Sequence, residues 1–149
     1  MVSRNSSPWG SSAATTLANG DTVTNGSMEI RWDPPSRIAF VRYVPGAILS
    51  AADGAVLVDA LSGWIGTTGQ AFAVLADGEG LRGTSAAYRA SVSRFFRQHR
   101  DTARIALINL GPVIQIVVEM FRLGTGIQLK AFDSEAAARS WLTAKGIAA

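Results

Sequence analysis

Two runs of the sequence, QAFAVLAD (residues 70–77) and ARIALINL (residues 103–110), are apolar at consecutive positions rather than at alternate ones. Strands of that kind are buried on both faces. Each is followed by a segment with helical spacing, long enough to cross back and pair the next strand in parallel. That alternation points to an α/β arrangement: a mixed, mainly parallel sheet with right-handed crossovers and packed helices.

The remaining segments fit this frame. MEIRW (residues 28–32) and RIAFVRYV (residues 37–44) flank DPPS, which can neither continue a helix nor pair as a central strand, so they read as a hairpin. In LSAADGAVLVDALSGWIG, Leu49, Ala52, Val56, Ala60 and Trp64 recur at helical spacing, with Leu57 and Leu61 alongside and Ser50 as N-cap. In GTSAAYRASVSRFFRQHRD, Tyr88, Val92, Phe95, Phe96 and His99 share one face, and Arg89, Arg97 and Arg100 line an adjacent stripe. IQLKAF reads as a short strand. DSEAAARSWLTAKG is a last helix, capped by Asp133 or Ser134, with acid in its first turn and Lys145 in its last. The expected order is ββαβαβαβα over residues 28–149. Residues 1–27 are rich in Ser, Thr, Asn, Gly and Ala, and are expected to form a flexible tail in which only Trp9 has a side chain suited to docking.

GPVIQIVVEMFRLGTG (residues 111–126) is the unusual segment. Pro at its start and glycines at its end mark a helix, yet its apolar residues run all the way round. Val113, Val117, Met120 and Phe121 form one face suited to a sheet. Ile114 and Val118 share a second face, and Ile116 lies away from both. Three explanations stand for the surplus: burial within the chain, a subunit contact, or a wall for an apolar ligand. Exposed apolar patches mark interaction sites.

Composition narrows the chemistry. At 149 residues the chain fits one domain. It has no cysteine, which excludes disulfides, thiolate zinc sites and a cysteine nucleophile, and is consistent with a cytoplasmic location. His99 is the only histidine, so a metal site would lack a second one, and ADGEG is too short for an EF-hand loop. No cofactor motif is present, and GEGLRG is neither a phosphate loop nor a dinucleotide fingerprint. No nucleophile elbow accompanies His99 and Asp101, which sit too close in sequence to face each other on a helix. The net charge of +3 is uneven: six arginines between Arg82 and Arg104 stand against one acid, Asp101. Arginine suits carboxylates, phosphates and lipid headgroups. Without a stacking platform or reading helix, nucleic acid is not the expected partner. The opening twenty residues lack an apolar signal core, and residues 112–121 are about half the length that spans a bilayer.

The order of elements resembles the STAS fold, especially its SpoIIAA-like branch. The resemblance rests on a strand such as ARIALINL, an apolar helix, and a short strand entering FDSEAAARSWL. It implies a non-catalytic module that binds a protein partner or itself, in some relatives a lipid. Anti-sigma-factor-antagonist members carry a phosphorylated serine at the start of the helix after the third strand. Thr84 and Ser85 in GEGLRGTSAAY match that position, although the aspartate before and the glycine after are absent. Read from the residues alone, one of the two caps the arginine-rich helix. The expected contact residues are Arg89, Arg97, Arg100, Ile114, Ile116 and Val118, serving a partner, a second copy or an apolar anionic ligand.

Overall fold

The structure is a computed structural model that describes residues 17–19 and 21–144. Trp9 and Lys145 lie outside them. The main sheet has seven strands in the order β1-β2-β3-β4-β6-β8-β9. These are β1 (Leu17–Asn19), β2 (Thr22–Thr24), β3 (Met28–Asp33), β4 (Ile38–Tyr43), β6 (Phe72–Asp77), β8 (Ala103–Ile108) and β9 (Gln128–Phe132). Strands β1 to β4 pair antiparallel, and β4, β6, β8 and β9 run parallel. A two-stranded ladder, β5 (Ile48–Leu49) with β7 (Gly83–Thr84), stands apart. The helices are α1 (Ala51–Ile65), α2 (Ala86–Gln98), α3 (Pro112–Thr125) and α4 (Glu135–Leu142). From Met28 onward the principal elements follow the expected order.

The expected tail needs correction. Leu17–Asn19 and Thr22–Thr24 lie inside it, yet both are strands of the main sheet, and Val23 is buried. Two three-residue strands carry little hydrophobic signal. Strand β2 is held by ladder hydrogen bonds to β3 and β1 by those to β2, which a composition reading does not register.

Alternation along the strands divides the core. Met28, Ile30 and Trp32 of β3 and Ala39 and Val41 of β4 point to α1, α2 and α3, as do Phe72, Val74, Ala76, Ala103, Ile105 and Leu107. Ile38, Ala73, Leu75, Ala106 and Ile108 point the other way, onto Ala138 and Leu142 of α4. Strands β6 and β8 are therefore covered on both faces, the condition their continuous apolar runs require. Arg104 also points toward α4. Its guanidinium donates to the Trp141 carbonyl at 2.9 Å and lies 4.7 Å from the Trp141 ring centre. It thus leaves the surface charge of the arginine-rich segment.

The caps follow the sequence. Ser50 caps α1 in a reciprocal box with Asp53, and Ser134, rather than Asp133, caps α4 by accepting from Ala137 N–H. The α1 face differs from expectation. Leu57, Leu61 and Ile65 are its centre, and Trp64 stacks on Trp32 at 5.8 Å. Gly54 brings α1 close to α2, since a Cβ there would meet Tyr88 Cδ1 at 3.4 Å. Asn25 ties the β2–β3 turn to this helix. Its Oδ1 accepts from the Ser27 and Met28 amides, and its Nδ2 donates to Asp53 Oδ1 at 2.9 Å.

Gly80 has φ +80°, and a Cβ there would meet Pro45 Cα at 3.0 Å. Gly80→Ala is expected to lower unfolding free energy by at least about 1–2 kcal/mol. Gly63 lies in α1 with open space around it. Gly63→Ala is expected to raise stability by about 0.5–1 kcal/mol. Denaturant unfolding of the two variants checks both signs.

Candidate functional site

Helix α3 begins at Pro112, whose missing N–H costs nothing at the first helical position, and ends at Gly126, a left-handed C-cap. Its inward line is Ile114, Val118, Phe121 and Thr125. Ile114 and Thr125 are buried, and Val118 and Phe121 pack on the core from partly buried positions. A threonine is tolerated there because its hydroxyl donates to the Phe121 carbonyl at 2.8 Å and accepts from Ile127 N–H at 3.3 Å. Phe121 meets Phe96 of α2 edge to face at 6.0 Å.

This phase corrects the expected faces. Val113 and Met120, assigned to the sheet side, point to solvent. Ile114 and Val118, expected as partner contacts, point inward, and of that group Ile116 alone lies outside. Val113, Ile116, Met120 and Leu123 are 67%, 64%, 68% and 70% exposed. Their spacing of three, four and three places them on one stripe of the helix. The 3–4–3 spacing was readable in the sequence, but it interleaves with 114, 118, 121 and 125, which is apolar at all but one position.

The arginines on and just after α2 border this stripe. Arg89 and Ser93 share the furrow between the helices with Val117, Met120 and Phe121. Further along, the Arg100 side chain passes over the end of α3, where a Cβ on Gly126 would meet its Cδ at 3.9 Å. Arg97 lies between them along α2 and is exposed. Ion pairs among the described residues join Arg31 to Glu29, Arg122 to Glu119 and Arg139 to Glu135, and involve none of these three arginines. Glu119 projects from the flank of α3 away from α2. The hydrogen bond from Arg122 holds its carboxyl below the usual carboxylate range.

Beneath α3 lies a cavity of about 120 Å³ between the sheet, α2 and α3. Val74, Val92, Phe96, Ile105, Ile114 and Val118 are among its walls. Ile114 and Val118 are thus cavity residues rather than surface ones. The lining also includes Thr84, Arg89, Tyr43 and Tyr88, and the two tyrosine hydroxyls are hydrogen-bonded to each other. Burial pushes the Tyr43 hydroxyl up to about 12. Burial, with the charges of Tyr43 and Asp53, raises Tyr88 well above its ordinary range.

Ser85 caps α2 by accepting from Tyr88 N–H at 3.0 Å. Thr84 instead accepts from Arg89 Nη1, at 2.6 Å on its carbonyl and 3.0 Å on its hydroxyl. His99 is the half-buried C-cap of α2, its ring tilted against that of Phe95 with centres 4.5 Å apart, and burial lowers its pKa. Among the described residues there is no group of three His, Asp or Glu able to hold a metal ion, and no helix long and apolar enough to cross a membrane.

With this geometry in place, solved structures give a fold. A crystal structure of an uncharacterised DUF3478-family protein from Shewanella loihica PV-4, described as having a SpoIIAA-like fold, aligns with a TM-score of 0.53. It is 20% identical, and the alignment covers 78% of this chain and 92% of that one. No family profile and no curated protein matches the chain. The protein has a SpoIIAA-like fold, as its order of elements implied.

Tyr43 and Tyr88 are the only tyrosines in the chain. Their folded pKa values lie above the unfolded value of about 10, so the unfolded state releases protons first as pH rises. Stability is therefore expected to be intact below pH 10 and to fall as pH climbs through about 12. Spectrophotometric titration should show no tyrosinate near pH 10 while the fold persists. Reversible ionisation there, with near-UV circular dichroism unchanged, contradicts the burial of the pair.

Proposed function

We propose that this protein is a non-catalytic interaction module that works by contact through the outer face of α3 and the neighbouring arginines on and just after α2. The observation that carries this reading is the stripe Val113, Ile116, Met120 and Leu123, four large apolar side chains exposed on one helix. Such a stripe contributes nothing to the core beneath it and lowers solubility, so burial against a partner is its physical use. Arg89, Arg97 and Arg100 then fix orientation by pairing with acidic groups. A regulatory role follows the resemblance to SpoIIAA-like modules. Ser85 serves as a helix cap in this reading, its hydroxyl oxygen accepting from Tyr88 N–H.

The cavity favours a second reading, in which the module holds a small apolar ligand. An engineered dry cavity of roughly 150 Å³ accepts benzene, so a site of this size suits a ring or a short alkyl segment. Arg89, which also lines the outer furrow, is the charged group available to a polar end.

A photo-crosslinking side chain at position 116, introduced in the expressing cell, is expected to form adducts. The same probe at exposed Asp59 on α1 should not. Equal labelling at both positions removes the α3 face from consideration. Ile116→Ser with Met120→Ser should leave stability within about 0.5 kcal/mol, whereas Ile114→Ala should cost about 2–5 kcal/mol. Native mass spectrometry tests the second reading: a retained small molecule is expected in the wild type and absent from Ala76→Leu, which fills the cavity.

A further inference from the structure

We infer that the partner of the α2–α3 face is an anionic lipid surface, an inference that rests on reading α3 as a contact helix. The stripe and the arginines are one surface. By helical phase, Val113, Ile116, Met120 and Leu123 point outward and lean toward α2, while Arg89 and Arg100 line the α2 side of that ridge and Arg97 rises beside it. The one acid on α3, Glu119, sits on the opposite flank and is neutralised by Arg122. Apolar side chains flanked by guanidinium groups that no carboxylate neutralises are what a helix needs to lie at a bilayer interface, with the chains below the headgroups and arginine on phosphate.

A second copy fits this face less well. The 3–4–3 spacing is palindromic, so it would match itself in an antiparallel pair about a two-fold axis. Face-to-face packing of that kind lays α2 of one copy over α2 of the other. Arg89, Arg97 and Arg100 would then meet their own counterparts, with no carboxylate on that side of α3 between them. Like charges brought together at an interface oppose the pairing that the apolar stripe would favour.

The cavity selects lipid over an acidic protein. Arg89, Val117 and Phe121 line both the cavity and the outer furrow, so one layer of side chains separates the apolar interior from the face that carries the stripe. A bilayer supplies an anionic headgroup for Arg89 and an apolar chain for the space behind it. An acidic protein would have to place an apolar side chain there beside its carboxylates.

The test uses the full chain with vesicles of phosphatidylcholine alone, or with one third phosphatidylglycerol, in a flotation assay. Binding to the anionic vesicles is expected to be on the order of a hundredfold tighter, given about a tenfold or smaller gain from each of three arginines. It should weaken as salt is raised. The combined Arg89→Gln, Arg97→Gln and Arg100→Gln variant should fall to the zwitterionic level. Ile116→Ser with Met120→Ser should weaken binding to both vesicle types, with the melting temperature of each variant unchanged. Absence of vesicle binding, equal binding to both vesicles, or full binding by the arginine variant overturns the proposal. Sedimentation velocity separates its failure from that of the contact reading. Self-association abolished by the Ile116/Met120 substitutions, without vesicle binding, assigns the face to a second copy. No vesicle binding, no self-association and no adducts from position 116 would overturn both.

Discussion

Six-residue strands set the scale of this molecule. A strand of that length is about 20 Å long and offers three side chains to each face. Strands lie about 4.8 Å apart and packed helices about 8–10 Å, so one helix covers roughly two strands. Helices α1, α2 and α3 take successive seats across the sheet. The last seat, over β8 and the edge strand β9, has a neighbouring helix on one side only. A helix there has one side toward the sheet, one toward α2 and the rest in water. Its sequence is nevertheless apolar on more than the two covered sides, and that mismatch produces the exposed ridge.

The same crowding explains the space underneath. Phe96 and Phe121 prop α2 and α3 apart near the end of α3, while Ala76 and Gly78 on the sheet side are small. At Ala76 and Gly78 the floor drops away, and the gap between helices and sheet stays open there. Tyr43 and Tyr88 bring hydroxyls to its lining and satisfy each other, so the gap stays apolar without an unpaired polar group.

Much of the fold was legible because its signals are local. The continuous runs at 72–77 and 103–108 fixed strands buried on both faces, Pro34 and Pro35 marked the hairpin, and Ser50 declared its cap. What escaped notice lacked a local signal. Strands β1 and β2 are three residues each, too short for a period to show, so only their pairing with each other and of β2 with β3 reveals them. The phase of α3 was misread because two interleaved stripes are both apolar. Hydrophobicity does not rank them, and the buried one even contains Thr125, whose hydroxyl finds partners only in the folded backbone. The arginine row was visible, but Arg104 was counted with it until the strand's alternation sent that side chain to the opposite face. A cavity is an absence between elements and has no sequence signature at all.

Asn25 holds a turn with its carbonyl oxygen and a helix cap with its nitrogen. It is followed by Gly26, the neighbour that least hinders cyclisation of an asparagine side chain onto the next amide. Cyclisation expels the side-chain nitrogen as ammonia, and water then opens the cyclic imide to leave a carboxylate near Asp53 in place of the donor. Repulsion would then replace the clasp between the first strands and α1. Ageing of the chain, rather than mutation, is thus one route by which the hinge of the whole helix layer would loosen.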